Sequence, residues 1–249
     1  PHRSGQGSSA IIGRFSMRFA GMLVALCLSA CQAQDHRVRA EDYDAFWLWA
    51  GVTPQPVLDR AKTIYVLEGE IRGEGKPYLV RLRPGTPSVE HARVWIVYRV
   101  ETINWGDDIL PKIREDIARW KAAGNRVVGV QIDFDAATKG LKDYASFLAK
   151  VRAALPENMQ LGITGLLDWS AQGDSADLNR LAAIVDEVVL QTYQGRHTIE
   201  GYENYIGSLK RLKLPYRIGL VQYGKWKAPD HLARDPEFKG YVVFLLNPD

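Results

Sequence analysis

Eight short apolar runs recur between residue 46 and residue 246, and their spacing is what most constrains the fold. They are FWLWAGV (46–52), TIYVLEGEI (63–71), ARVWIVYRVE (92–101), RVVGVQIDFD (126–135), QLGITGLL (160–167), DEVVLQTY (186–193), YRIGLVQY (216–223) and GYVVFLL (240–246). Each is the length of a strand and rich in β-branched and aromatic residues. Helical patterns lie between several of them. Residues 109–123 carry Ile113, Ile117 and Trp120 at helical spacing, with Gly124 as a stop. Residues 142–155 carry Tyr144, Phe147, Leu148, Val151 and Leu155 on one stripe, ended by Pro156. Residues 178–185 and 199–212 repeat the pattern more weakly. Strand-then-helix alternation argues for parallel strands joined by crossover helices, and eight strands predict an α/β protein of the (β/α)8 TIM-barrel type. The barrel is expected to be incomplete. Residues 72–91 read as a hairpin or loop, residues 224–239 lack a helical stripe, and no helix follows the eighth strand. A doubly wound open sheet is the alternative, but no Gly-rich phosphate fingerprint follows the first strand.

Alternation within the strands favours the barrel. In the fourth, Val128, Val130, Ile132 and Phe134 fall on one face by the two-residue period. Val127, Gly129, Gln131, Asp133 and Asp135 fall on the other. A strand covered by helices on both faces is apolar on both. Here one face turns polar toward its carboxyl end, as a barrel interior opening into a site would. The third strand splits in the same way: Val94, Ile96, Tyr98 and Val100 against Trp95, Val97, Arg99 and Glu101. In the sixth, Val189, Gln191 and Tyr193 form the series that turns polar.

A barrel gathers its strand ends at one mouth. That places Glu68 or Glu70, Arg99, Glu101, Asp133, Asp135, Asp168, Trp169, Gln191, Tyr193, Tyr223 and Trp226 around it. Carboxylates, amide donors and aromatic rings in one cleft suit a carbohydrate. Sugar C–H faces stack on rings, and glycosidic cleavage needs two carboxyl groups. Adjacent carboxylates also push one pKa up, which keeps an acid protonated near neutral pH. Asp133 and Asp135 are thus the central catalytic candidates, with Asp168 or Glu101 as second carboxyl. Gln191, Tyr193, Trp169, Arg99 and Tyr223 are the substrate-binding candidates. Each has a plainer reading. Asp135 can cap a helix starting near Thr138, Arg99 and Glu101 can pair inside the barrel, and Trp169 and Trp226 can be core.

Other chemistries fit less well. Two acids at i and i+2 can share a hard cation, but the five histidines have no paired spacing for zinc. No G-x-S-x-G nucleophile elbow occurs. No cofactor or resident metal is expected. Net charge is only +3 and the basic residues are dispersed, which argues against nucleic acid. A monomer is expected.

The first residues read as a targeting segment. Met17 and Arg18 lead into FAGMLVALCLSA, a basic start, a short apolar core and small residues. Cys27 and Cys31 are the only cysteines. LSAC (28–31) resembles a bacterial lipobox, in which Cys31 would be lipidated. Gln32 follows it, which by the same resemblance favours the periplasmic face of the outer membrane. The expected division is an extension and signal over 1–31, a polar tether over 32–44 and the barrel over 45–249.

The strings GVQIDFD, LGITGLLDW and VDEVVLQTYQG resemble the bacterial family called domain of unknown function 3142. That family is grouped with TIM-barrel glycoside hydrolases, and the resemblance implies a barrel, export and a sugar-related role. A more distant similarity runs to the family 18 chitinases, whose fourth strand reads D-x-x-D-x-D-x-E. Asp133 and Asp135 match the second and third acids, and Tyr193 matches a tyrosine of the sixth strand. Val130 replaces the first acid, and Ala137 replaces the catalytic glutamate. The chitinase mechanism therefore does not carry over.

Overall fold

The β-branched runs form eight parallel strands that close on themselves. The computed structural model describes residues 36–73, 75–135, 140–209 and 213–247. The strands are β1 (Ala45–Leu48), β2 (Thr63–Arg72), β3 (Tyr78–Arg81), β4 (Arg93–Val100), β5 (Arg126–Asp133), β6 (Gln160–Leu166), β7 (Glu187–Gln191), β8 (Tyr193–Gln194), β9 (His197–Thr198), β10 (Tyr216–Val221) and β11 (Phe238–Phe244). The sheet runs β1-β11-β10-β7-β6-β5-β4-β2, and β1 pairs with β2 to close it. This is a (β/α)8 barrel; the open-sheet alternative falls because both of its edges are joined. β3 is antiparallel and lies on the carboxyl end of β2, and β8 and β9 form a small hairpin after β7.

The helices are α1 (Ile109–Ala122), α2 (Leu141–Ala154), α3 (Asp168–Gln172), α4 (Ser175–Ala182) and α5 (Glu203–Ile206). α1 and α2 lie within a residue of their expected spans, because their apolar stripes face the barrel. α4 starts earlier than the stripe suggested, since Asp174 caps it by accepting from Ala176 N and Asp177 N at 2.8 and 3.2 Å. Of the expected 199–212 helix, Glu203–Ile206 is α-helical among the described residues. After β2, β3 takes the place of a crossover helix.

Two apolar layers form. The outer one lies between strands and helices and includes Val94, Ile96, Tyr98, Val130, Ile132, Trp120, Tyr144 and Leu148. The inner one fills the barrel with Trp47, Tyr65, Trp95, Leu67, Val97 and Val189. Tyr65 stacks on Trp95 at 5.6 Å. Rings this large fit because glycines face them: a Cβ on Gly129 would sit 2.4 Å from Trp95, and one on Gly219 would sit 2.7 Å from Trp47. At the amino-terminal end, Glu187 accepts from Tyr65 Oη (2.5 Å) and Arg217 Nε (2.7 Å), so its buried charge is paired.

Two bulges change the expected facing. In β5, Val127 pairs with Val94 but Gly129 pairs with Trp95, so Val128 is the extra residue. Val127 consequently belongs to the outer layer and Val128 packs on the inner one, the reverse of strict alternation. From Gly129 onward the expected facing returns. In β2 the extra residue is Glu68, between Leu67 and Gly69. Glu68 turns out of the barrel and is fully buried, accepting from Arg119 (2.5 Å) and Trp120 Nε1 (2.9 Å) of α1. Arg119 also donates to Asp116, which accepts from Arg81 Nε and Tyr98 Oη. This network bridges β3 and α1 where the crossover helix is missing.

The expected tether is packed from His36 onward. Val38 is buried, its N–H donates to Gly224 O (2.8 Å), and Tyr223 N donates back to Val38 O (2.9 Å).

Candidate active site

Register assembles the site. Glu70 of β2 lies beside Arg99 of β4, and Arg99 beside Asp133 of β5. In a parallel sheet such neighbours share a face, so the three form one row on the inner wall near the mouth. Thr164 of β6 continues the row, its hydroxyl donating to Asp133 Oδ1 at 2.9 Å. One layer deeper, Gln131 Oε1 accepts from Trp47 Nε1 at 2.7 Å. The Gln131 amide nitrogen is buried and has no hydrogen-bond partner among the described residues. Asp135 lies two residues past the end of β5, at the rim and exposed.

Burial and charge separate the two aspartates. Asp133 is 8% exposed. Burial pushes its carboxyl up from 3.8 to about 6. The Thr164 hydrogen bond opposes this, the Asp135 charge adds to it, Arg99 opposes and Glu70 adds. Near neutral pH a carboxyl so placed exchanges its proton readily. Tyr193 stands close by: burial first, then the charges of Asp133 and Asp135, hold its phenol well above the ordinary value. Its ring meets Trp47 at 6.4 Å and Phe244 at 5.5 Å, which fixes it on the inner layer.

The structure thus brings together Asp133, Asp135, Arg99 and Tyr193. Gln191, last residue of β7, is partly buried and in register with Leu166 and Gly219. Asp168 opens α3 directly after β6, on the strand next to β5. Glu101 follows β4 on the other side and accepts from Gly73 N at 3.1 Å; it also lies near Arg72, so it belongs to the β2 rim. The reading of Asp135 as a helix cap turns on residues 136–139, which lie outside the described residues.

One expectation needs correction, and the choice between Glu68 and Glu70 is resolved in favour of Glu70. Trp169 is 1% exposed and sits in the outer layer, edge-on to Tyr144 at 6.3 Å. The short α3 turns its ring away from the mouth, so it offers no sugar platform. Glu68 is removed from the mouth by its bulge. Tyr223 lies farther round the rim, 47% exposed. Glu70 is the acid in the row, held by Arg72 Nε at 2.7 Å. Thr164 and Gln131 were missed as site residues; the only sequence signal was their place in an inward-facing series. Cys31 and Ala137 lie outside the described residues. Among the described residues, no group of three or more His, Cys, Asp or Glu is arranged to hold a metal, and no helix is long and apolar enough to cross a membrane.

The closed eight-strand sheet with its polar residues at the carboxyl end defines a TIM-barrel protein. Residues 100–226 match the model of the family described as domain of unknown function (DUF3142), and the chain belongs to that family. No curated protein matches the sequence. Among solved structures, the xylanase and alpha-amylase inhibitor protein XAIP-II from Scadoxus multiflorus superposes with a TM-score of 0.51 at 12% identity, over 81% of this chain and 92% of that one. The Bacillus cereus spore cortex-lytic enzyme SleL gives 0.43 at 18% identity, over 71% of this chain and 50% of that one. The chain therefore spans half the length of SleL. The chitinase domain of the Clostridium difficile spore coat protein CotE gives 0.45 at 14% identity, over 77% and 70%.

Proposed function

We propose that this protein acts on a poly- or oligosaccharide as a glycoside hydrolase, through the carboxyl groups at the mouth of the barrel. The observation that carries the proposal is the Glu70–Arg99–Asp133 row with Asp135 above it. It joins a buried carboxyl titrating near 6 to an exposed carboxylate at the rim. Asp135 meets the glycosidic bond. Asp133 sits behind it and, at pH values below about 6, holds a proton, which lowers the charge the pair must carry. Asp168 or Glu101, on the loops after the two flanking strands, supplies the second carboxyl that cleavage needs. Tyr193, Gln191 and Arg99 orient hydroxyl groups. The test is turnover of a panel of glycans by the wild type and by Asp135→Asn. Equal product from both removes the assignment.

A second reading is a carbohydrate-binding protein without turnover. Ala137, in the place where family 18 chitinases keep their acid, favours it. The barrel alone does not decide, since the same fold serves in an inhibitor protein. Saturable glycan binding with no product from any substrate would establish this reading. In either case we propose a monomer held at the bacterial envelope, in the outer membrane facing the periplasm, by a lipid on Cys31. Radiolabelled palmitate should enter the protein in a bacterial host and be lost in Cys31→Ala; labelling of both would refute the anchor.

A further inference from the structure

A groove of about 640 Å³ opens beside the barrel mouth. One wall is the β8–β9 hairpin and residues 199–203; the other is residues 223–227, after β10. Both walls leave the carboxyl ends of their strands, so the groove lies at the same end of the barrel as Asp133. Its volume is that of a ligand pocket, ~300–1,000 Å³.

The string YGKWK (223–227) forms the second wall. Trp226 points inward and stacks on Tyr202 at 4.8 Å. Tyr202 Oη accepts from Lys227 N at 2.7 Å, and Thr198 Oγ1 accepts from Lys225 N at 2.9 Å, so the backbone of this wall is pinned. Lys225 and Lys227, on either side of Trp226, are exposed, and neither has an ion-pair partner among the described residues. The lining also holds Arg196 from the hairpin, Glu200 and Glu203, and the imidazoles of His36 and His197. Tyr223 is one of two large aromatic side chains left exposed among the described residues. It is also the one described non-glycine residue with positive φ, at 67°. A bulky residue in that region is strained, and such strain persists where surrounding contacts impose it and gathers at ligand clamps. Here the hydrogen bond from Tyr223 N to Val38 O holds it.

We propose that this groove binds an anionic glycan, with Tyr223 as the ring that stacks on a sugar face and Lys225 and Lys227 as the partners of its carboxylate or phosphate groups. The proposal rests on the carbohydrate reading above and adds the substrate class. An extended acidic chain would lie in the groove with its neighbouring residues reaching the mouth.

The test is calorimetric titration of the full chain with an oligogalacturonate and with a cello-oligosaccharide of the same length. The acidic oligomer should bind at least about tenfold more tightly, and its affinity should fall with added salt. The K225E/K227E double variant and Tyr223→Gly should each lose about tenfold. Glycine suits a φ of 67°, so Tyr223→Gly should melt no lower than the wild type, which separates lost binding from lost folding. Equal affinity for the two oligomers, or unchanged affinity in both variants, overturns the proposal. So does binding to phosphatidylglycerol vesicles without binding to the oligogalacturonate. Turnover of a neutral glycan that needs Asp135 but not Lys225 or Lys227 would sink the groove alone. Groove binding of the acidic oligomer with no cleavage of any glycan would sink the hydrolase reading alone.

Discussion

Replacing Asp133 by asparagine should change how stability depends on pH. The folded carboxyl titrates at about 6 and the ordinary value is 3.8. Below pH 3.8 both folded and unfolded chains hold the proton, and the wild type has its full stability. Between 3.8 and 6 the unfolded chain releases its proton while the folded one keeps it, so stability falls as pH rises. Above 6 the folded state must carry a buried carboxylate. The whole gap corresponds to about 3 kcal/mol at 1.36 kcal/mol per pH unit. Asparagine has nearly the same shape, can accept from Thr164, and never ionises. The Asp133→Asn variant should therefore gain on the wild type as pH rises from 4 to 7. Most of that gap, about 2.4 kcal/mol, falls between pH 4 and 7; for a domain of this size 1 kcal/mol moves the melting temperature by about 2–4 °C, so the difference in Tm should widen by about 5–10 °C. Thermal melts of both proteins at pH 4, 5, 6 and 7 read this directly. A difference that stays constant with pH, or narrows, would refute the burial account of Asp133.

Four further outcomes follow from the structure. Asp135→Asn removes a negative charge that raises the Asp133 value, so the Asp133 carboxyl should titrate lower; carbon-detected NMR of that carboxyl measures it, and an unchanged midpoint would separate the two groups. If the hydrolase reading holds, the descending limb of the pH–rate profile should move to lower pH in any active variant that shifts the Asp133 titration downward. Gly129→Ala puts a methyl 2.4 Å from Trp95 in the inner layer, and urea unfolding should show a loss of about 1–3 kcal/mol. Arg119→Ala strips the shared cation from Glu68 and Asp116, both fully buried, and should cost about 3–5 kcal/mol; a loss under 1 kcal/mol would mean the network is not what holds β3 and α1 together.

The barrel was legible because its signal is local. Each strand announces itself by β-branched and aromatic residues, and α1 and α2 by stripes that repeat every three or four residues. The inward placement of Gln131 and Asp133 was also legible, since the two-residue period needs no knowledge of neighbours. The bulges at Val128 and Glu68 were not. An extra residue in one strand shows only against the partner strand, and partners are distant in sequence. Glu68 looked like a mouth acid until the register turned it toward Arg119. Trp169 looked like a platform at a strand end until α3 folded it into the outer layer.

The division at the site has the same origin. Alternation by itself put two carboxyl groups on the inner wall near the carboxyl end of β5. Only the closed sheet decided that Arg99 and Glu70 stand beside Asp133, that Thr164 binds it, and that it is buried while Asp135 is exposed. A pKa depends on solvent access and on charges within a few ångströms, and those come here from four strands spread over about a hundred residues of chain. Composition and period determine where a side chain points. Closure of the barrel determines what it meets there.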